Sequence, residues 1–162
     1  MSSTTFSGPV TSTAGFIGYF TSSVVNLTAA TLTITPALHA SKTVTVNAAA
    51  ATAITLPAAS GTGDIYTFFI GTAITSNSTT IKVATASDTM AGKAIVETDG
   101  ASDLCIAFST ASSSDTITLN GTTTGGLLGD HIVIQDVAAN VFSVMVHTSA
   151  TGTEATPFSA TV

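Results

Sequence analysis

Short apolar runs separated by turn-forming residues are the feature that most restricts the fold of this chain. Between Ala53 and Val96 there are four such runs, AITL, IYTFFI, TIKVA and a run that ends in Ile95 and Val96. Glycine, proline, asparagine, aspartate and serine fill the segments between them. β-Branched and aromatic runs of this length, bounded by turn residues, are typical of antiparallel strands. Within IYTFFI, we expect Phe69 to be a core residue.

The composition extends this prediction to the whole chain. Of its 162 residues, 44% are hydrophobic and only 7% are charged, so Thr, Ser, Asn and Gly must supply most of the polar surface. Thr and Ser compete for backbone hydrogen bonds, and β-branched side chains lose rotamer freedom in helices. We predict an all-β protein of roughly ten strands, arranged as an antiparallel β-sandwich, a jelly roll or a barrel. There is no strict repeat, so the sequence does not predict a solenoid.

The first 26 residues differ from the remainder. They are rich in Ser, Thr, Gly and Pro and have little periodicity. We predict that residues 1–26 form an extended N-terminal arm, and that residues 27–162 form a single β domain with an extended C-terminal tail. Apolar side chains on such an arm provide a large contact area at a low entropic cost. The candidate interface residues in the arm are Phe6, Phe16, Ile17, Tyr19 and Phe20. The alternative is that FIGYF is the first strand of the domain.

Charge is scarce and unbalanced. The formal net charge is −6, from nine carboxylates and three lysines, and there is no arginine. Nucleic-acid binding needs clustered cations, so we expect no nucleic-acid partner. The absence of arginine also argues against enzymes that clamp phosphorylated or carboxylated substrates. A surface so poor in charge is a solubility risk for a free monomer, and it favours coverage by identical copies or by a larger assembly.

The sequence has neither the pattern of a signal peptide nor an apolar run long enough to span a bilayer. We therefore expect synthesis in the cytoplasm and no membrane partner.

Titratable residues do not show the spacing of a catalytic or metal site. His39, His131 and His147 are far apart in the sequence, and none has ligand spacing to another His or to a Cys. Cys105 lies in the apolar run LCIAF, where we expect it to be a small buried hydrophobe. Since no catalytic motif is present, we expect neither an enzyme nor a cofactor.

Two loops have a faint likeness to ligand-binding motifs. Ser60–Asp64, SGTGD, resembles a phosphate-binding loop but lacks the lysine and the following helix, so a hairpin turn is the preferred interpretation. Glu97–Asp103, ETDGASD, offers carboxylate oxygens but lacks the full calcium-loop pattern. We expect a solvated turn there and no metal site.

Four motifs resemble small virion proteins of tailed bacteriophages. They are ITLPAA, TIKVA, DTITLNGTTTGG and GTEATPFS, and the resemblance covers roughly two thirds of the chain, from Ala53 onward. It implies a head decoration protein, also called a cement protein. Such a protein is typically a homotrimer or another small homo-oligomer that is seated on the exterior of the capsid and has no catalytic activity.

Together these features predict a structural virion protein that decorates and stabilises a bacteriophage capsid by bridging neighbouring major capsid subunits. Many weak neutral contacts, repeated in every copy, become stable attachment through multivalency. The alternative is a segment of a tail fibre, tailspike or adhesin that binds a host surface receptor or glycan. Such proteins are also Thr-, Ser- and Gly-rich trimeric β structures.

Overall fold

The computed structural model describes residues 23–99 and 104–162, and nearly all of its regular structure is β. This confirms the all-β prediction. The described elements are β1 (Val24–Leu27), β2 (Thr31–Thr33), α1 (Pro36–His39), β3 (Thr43–Val46), β4 (Ala53–Thr55), β5 (Ile65–Ile70), β6 (Thr79–Lys82), β7 (Thr89–Glu97), β8 (Cys105–Ser109), β9 (Thr116–Leu119), β10 (His131–Ala138), β11 (Val141–Ser149) and β12 (Phe158–Ser159).

The strands form two sheets around a shared core. The larger sheet has the order β1-β3-β5-β10-β11-β7-β8, and the smaller has the order β12-β9-β6-β4-β2. Buried side chains of both sheets belong to one hydrophobic cluster, to which the larger sheet contributes Phe68 and Val146 and the smaller sheet Ile54, Ile81 and Ile117. The larger sheet therefore has an inner face on this core and an outer face turned away from it.

Strands β1 to β6 form a parallel coil. The odd-numbered strands pair in parallel in the larger sheet, with Val24 opposite Thr43 and Thr43 opposite Thr67. The even-numbered strands do the same in the smaller sheet, where Ala53 lies between Thr31 and Thr80. The chain thus crosses to the other sheet after every strand. Both sheets are mixed, and the antiparallel arrangement predicted for the whole domain is wrong for this half of the chain.

The segment Ser60–Asp64 connects two different sheets. It joins β4 in the smaller sheet to β5 in the larger one, and these two strands do not pair. The predicted hairpin turn is therefore wrong. Alternation of polar and apolar residues defines a strand with one buried face, but the same alternation suits a parallel or an antiparallel partner.

A predicted hairpin is confirmed near the C-terminus. Strands β10 and β11 pair in the antiparallel sense, and Ala138 lies opposite Val141. Asn140 in the turn between them has a φ of 63°. Asparagine tolerates this left-handed conformation better than most residues, so the sequence is suited to a tight turn at this point.

The two phenylalanines of β5 point to opposite faces. Tyr66, Phe68 and Ile70 are buried in the core, whereas Phe69 is only half-buried and lies on the outer face, opposite the exposed His131. The expectation that Phe69 is a core residue is wrong. Successive side chains of a strand alternate between its faces, so Phe69 shares the outer face with Thr67.

The first strand begins at Val24 and ends with Leu27, which is buried. The predicted boundary between arm and domain, after Asn26, thus falls inside β1. The five candidate interface residues of the arm lie outside the described residues.

Candidate functional site

The outer face of the larger sheet carries several exposed apolar side chains among uncharged polar ones such as Thr67 and Ser143. Its exposed side chains include Val24, Ile65, Ile95 and Met145, the last 57% exposed. Among the outward-facing positions of the seven strands, only two hold a charged side chain. They are Lys93 and Glu97, both on β7, the strand next to the edge strand β8. Large exposed apolar patches on soluble proteins mark interaction sites. We therefore take the outer face as a candidate interaction surface.

The strand register arranges this face in rows. One row crosses four neighbouring strands in the order Phe69, His131, His147 and Ile95. The adjoining row places Met145 between its neighbours on β10 and β7. Aromatic, imidazole and aliphatic groups thus lie side by side on this face, and Lys93 is the neighbour of Met145 on β7.

The hairpin brings together two of the three histidines. His131 and His147 are direct register partners, and both are exposed. His39 is elsewhere and buried, with its Nδ1 3.0 Å from the carbonyl oxygen of Thr35. Within residues 23–99 and 104–162, no group of three or more His, Cys, Asp or Glu side chains is placed to hold a metal ion.

Strand β8 is an edge of the larger sheet, and its backbone groups alternate in direction. The Thr98 N–H donates to the Leu104 carbonyl, and the Thr110 N–H donates to the Gly92 carbonyl. In an antiparallel pair, alternate residues direct both backbone groups to the same side, so the even-numbered residues of β8 face β7. The residues that direct N–H and C=O away from β7 are Cys105, Ala107 and Ser109. We call this side of β8 the open edge.

The open edge is apolar and has no protective charge. Leu104 is 61% exposed and Ile106 is 39% exposed, although Ile106 pairs with the buried Val96 on the inner face. No residue from Leu104 to Thr110 is charged, and none is proline. Natural edge strands are usually protected by lysine, proline or a bulge. The open edge lacks the first two of these devices, which makes it suited to the addition of another strand.

Cys105 is exposed, so the expectation of a buried cysteine is wrong. The apolar run LCIAF does form a strand. Its register places Cys105 opposite the exposed Glu97, on the outer face, which is turned away from the core.

A groove of about 440 Å³ adjoins the open edge on the outer face. It lies where the ends of β7 and β11 meet the segment that precedes β10. Its apolar lining residues are Ile95, Cys105 and Leu128, and its titratable ones are Glu97, Asp130 and His147. Cys105 belongs to both the groove and β8, so groove and edge form one continuous surface.

Asp130 builds one wall of this groove and is itself buried. It accepts hydrogen bonds from the N–H groups of Gly126, at 2.6 Å, and of Leu127 and Ser149. Burial raises the pKa of Asp130, the three N–H donors lower it, and the charge of Glu97 raises it, with a net pKa above the ordinary value. The carboxylate fixes the loop before β10 to the end of β11.

The Ser60–Asp64 loop does surround an anion, which belongs to the protein itself. The N–H groups of Ser60, Gly61 and Thr62 donate to the carboxylate of Asp136, the Gly61 bond being 2.7 Å long. The hydroxyls of Ser60 and Thr62 donate to the same carboxylate. Gly61 has a φ of 77°, which lets consecutive N–H groups converge in this way. The likeness to a phosphate-binding loop thus has a physical basis.

Hydrogen bonding governs the charge state of Asp136 and of a second buried carboxylate. Burial raises the pKa of Asp136, but the Gly61, Ser60 and Thr62 donors outweigh it and hold the pKa below the ordinary value. The same balance applies to Asp115, where burial is outweighed by the N–H groups of Thr161 and Val162 and by a hydroxyl, so that its pKa is also lowered. Asp115 thereby anchors the C-terminal residues beside β9.

Comparisons of the chain with protein-family models, with curated proteins and with solved structures find no match. In the described part of the chain, no helix has the length and apolar character needed to cross a bilayer. We therefore infer a function from the surface of the protein.

Proposed function

We propose that this protein is a structural virion protein that decorates and stabilises a bacteriophage capsid by bridging neighbouring major capsid subunits. The observation that carries the proposal is the outer face of the larger sheet, which has few charged and several exposed apolar side chains, together with the open edge beside it. Such a surface favours burial in an assembly, because a free monomer would expose it to water. In this proposal the aromatic residues of the arm add contact area to the interface.

The role of the buried carboxylates supports a structural function. Asp115, Asp130 and Asp136 each accept several backbone N–H bonds that fix a loop or a terminus to a strand. These groups are fully engaged in holding the scaffold. A rigid β scaffold with a broad neutral surface is what a capsid cement requires, since every copy must present the same contacts.

The parallel coil of β1 to β6 is an observation in favour of the alternative, a segment of a tail fibre or adhesin. Coiled β architectures present extended surfaces to their ligands. The groove next to the open edge, however, has no aromatic side chain among its lining residues. Glycan sites typically place exposed aromatics in grooves, so this groove favours the alternative less than the coil does.

A deletion and two point variants test the capsid proposal. Removal of residues 2–22 should leave the domain folded, since β1 begins at Val24. Binding to capsids that lack the protein should weaken by roughly 30-fold or more, because the loss of even one strong apolar anchor is worth about 2 kcal/mol. Binding can be measured by co-sedimentation of the purified protein with capsids.

Met145→Lys and Leu38→Lys form a matched pair for the outer face. Both side chains are well exposed, at 57% and 61%, but Leu38 lies on α1 rather than on the larger sheet. We expect Met145→Lys to weaken capsid binding and Leu38→Lys to leave it unchanged. Wild-type binding by both the deletion and Met145→Lys would refute the proposed interface.

A further inference from the structure

The open edge of β8 is suited to a particular kind of occupant. Cys105, Ala107 and Ser109 direct their N–H and C=O groups outward, and these groups repeat at every second residue. Water can bond these groups one by one, but an extended backbone pairs with the whole row by adding a strand to the sheet. The occupant that matches the row is therefore a strand.

That strand must be apolar on both of its faces. On the inner face, Ile106 is 39% exposed and Phe108 is only half-buried, so the core is incompletely covered at this edge. On the outer face, Cys105 and Ala107 are small and uncharged and leave room for a larger neighbour. Cross-strand pairs of apolar side chains would cover both faces.

This chain contains one segment with these properties outside the described residues. Phe16–Phe20, FIGYF, is of strand length, uncharged and free of proline. In a strand, Phe16 and Phe20 would lie on one face and Ile17 and Tyr19 on the other. Both faces would be apolar, as the open edge requires.

The segment cannot reach β8 of its own chain. β1 and β8 are the opposite edges of the larger sheet and are separated by six inter-strand spacings. At about 4.8 Å each, these spacings amount to about 29 Å, and an added strand lies one spacing further away. Phe20 precedes Val24 by four residues, which span at most about 14 Å. Only β8 of another copy is within reach.

We propose that Phe16–Phe20 of one chain adds as a strand to the open edge of β8 in a neighbouring copy. Each copy then donates the segment that precedes its own β1 in the sequence, and it accepts the same segment of another copy beside its β8. Such a head-to-tail interface closes into a ring when the rotation between copies permits. The exchange concerns the contact between copies and goes beyond the proposed function, because it holds with or without a capsid. In a decorated capsid it would leave Phe6 to contact the capsid subunits.

Complementation between two variants tests this exchange. Ala107→Pro removes one outward N–H of the open edge without removing a bond to β7, and proline is tolerated at such edge positions. This variant keeps an intact donor segment. The deletion of residues 2–22 keeps an intact β8 but lacks the donor. We expect each variant alone to be monomeric and the wild type to be a multiple of 16.0 kDa. An equimolar mixture should give a heterodimer with one chain of each kind.

Light scattering after size-exclusion chromatography measures these masses, and circular dichroism checks that each variant is folded. Ala107→Thr keeps the N–H and should remain oligomeric as the matched control. Gly18→Pro blocks the donor strand and should also give a monomer, whether or not Ala107→Pro folds. An oligomeric Gly18→Pro, or a mixture that stays monomeric, overturns the exchange. Since no capsid is present, failure here is distinct from failure of the capsid proposal.

Cross-linking to Cys105 gives the position of the donor strand. Single cysteines at positions 16 to 20, each combined with the native Cys105, should form disulfides between chains when oxidised. Because side chains alternate along a strand, every second position should cross-link efficiently. Ser87→Cys, in an exposed turn, is the control and should not cross-link to Cys105. Disulfides within one chain, shown by mixing isotope-labelled and unlabelled protein, would overturn the exchange.

Discussion

Phe68→Ala should lower the free energy of unfolding by about 3–5 kcal/mol, whereas Phe69→Ala should lower it by only about 1–2 kcal/mol. Phe68 is fully buried between the sheets, so its truncation leaves a cavity in the core. Phe69 is half-buried on the outer face, where neighbouring side chains and water can occupy the vacated space. The two residues are adjacent and of the same type, so the pair isolates the effect of burial.

Guanidinium unfolding at a fixed protein concentration measures both losses. The concentration must be the same for both variants, since the stability of an oligomer depends on it. A larger loss for Phe69→Ala would mean that β5 presents the opposite face to the core, and equal losses would mean that the two side chains do not differ in burial.

Asp136→Asn should lower the free energy of unfolding by about 3 kcal/mol at pH 7, because hydrogen bonds to a charged group are each worth about 1.5–3 kcal/mol and an amide can replace only part of them. The carboxylate is almost completely buried and accepts the N–H groups of Ser60, Gly61 and Thr62. Asparagine keeps one acceptor oxygen but brings an NH₂ group that faces other donors. The loop from Ser60 to Asp64 would then lose most of its side-chain attachment to β10 and keep the backbone bonds between Asp136 and the pair Gly63 and Asp64.

The effect of Asp136→Asn depends on pH in a definite direction. The pKa of Asp136 in the folded protein lies below its ordinary value of 3.8. The charged carboxylate of Asp136 therefore stabilises the folded protein above pH 3.8, and this stabilisation is lost as the pH falls through the pKa of the folded state. The difference between the wild type and Asp136→Asn should be largest near pH 7 and should shrink below pH 3.8.

Urea unfolding at pH 7 and at pH 3 measures this difference. Asp99→Asn, at an exposed position, makes the same change of charge and should alter stability by less than about 0.5 kcal/mol. A difference that stays constant between the two pH values would show that the charge of Asp136 does not hold the loop.

The sequence contained enough information to place the strands and one hairpin, but not the strand order. The alternation in TVTV and in the strands near the C-terminus marks one buried face for each strand. Alternation does not specify which strand lies alongside, so the parallel coil of β1 to β6 could not be predicted from it. The exposure of Cys105 could not be predicted either, because every residue of LCIAF is apolar and the run has no alternation that marks its outward face.

One local feature could have been predicted more fully. In IYTFFI the polar Thr67 shares a face with Phe69, which indicates that Phe68 is the buried aromatic, and this follows from the period of a strand. The register of the last hairpin could not be extended in this way from the Asn140 turn. A register shift between Asp136 and Ala138 lies between the turn and the pair His131 and His147, and the alternation of the sequence does not mark it.

The partner of the SGTGD loop could not be predicted. The loop has the glycines and hydroxyls of an anion-binding segment, but its anion, Asp136, lies more than 70 residues later in the chain. The contact between residues so far apart in the sequence depends on the pairing of β5 with β10. The open edge also depends on the complete strand order. The sequence alone therefore could not identify β8 as a candidate site.

The location of the protein in a virion is the most direct test of the proposed function. The proposed function places the chain in a bacteriophage virion, whose separated heads and tails can be compared by quantitative mass spectrometry. Our account predicts that the protein is found in the head fraction at a fixed ratio to the major capsid protein. Its presence in the tail fraction, or its absence from the virion, would contradict a capsid decoration function.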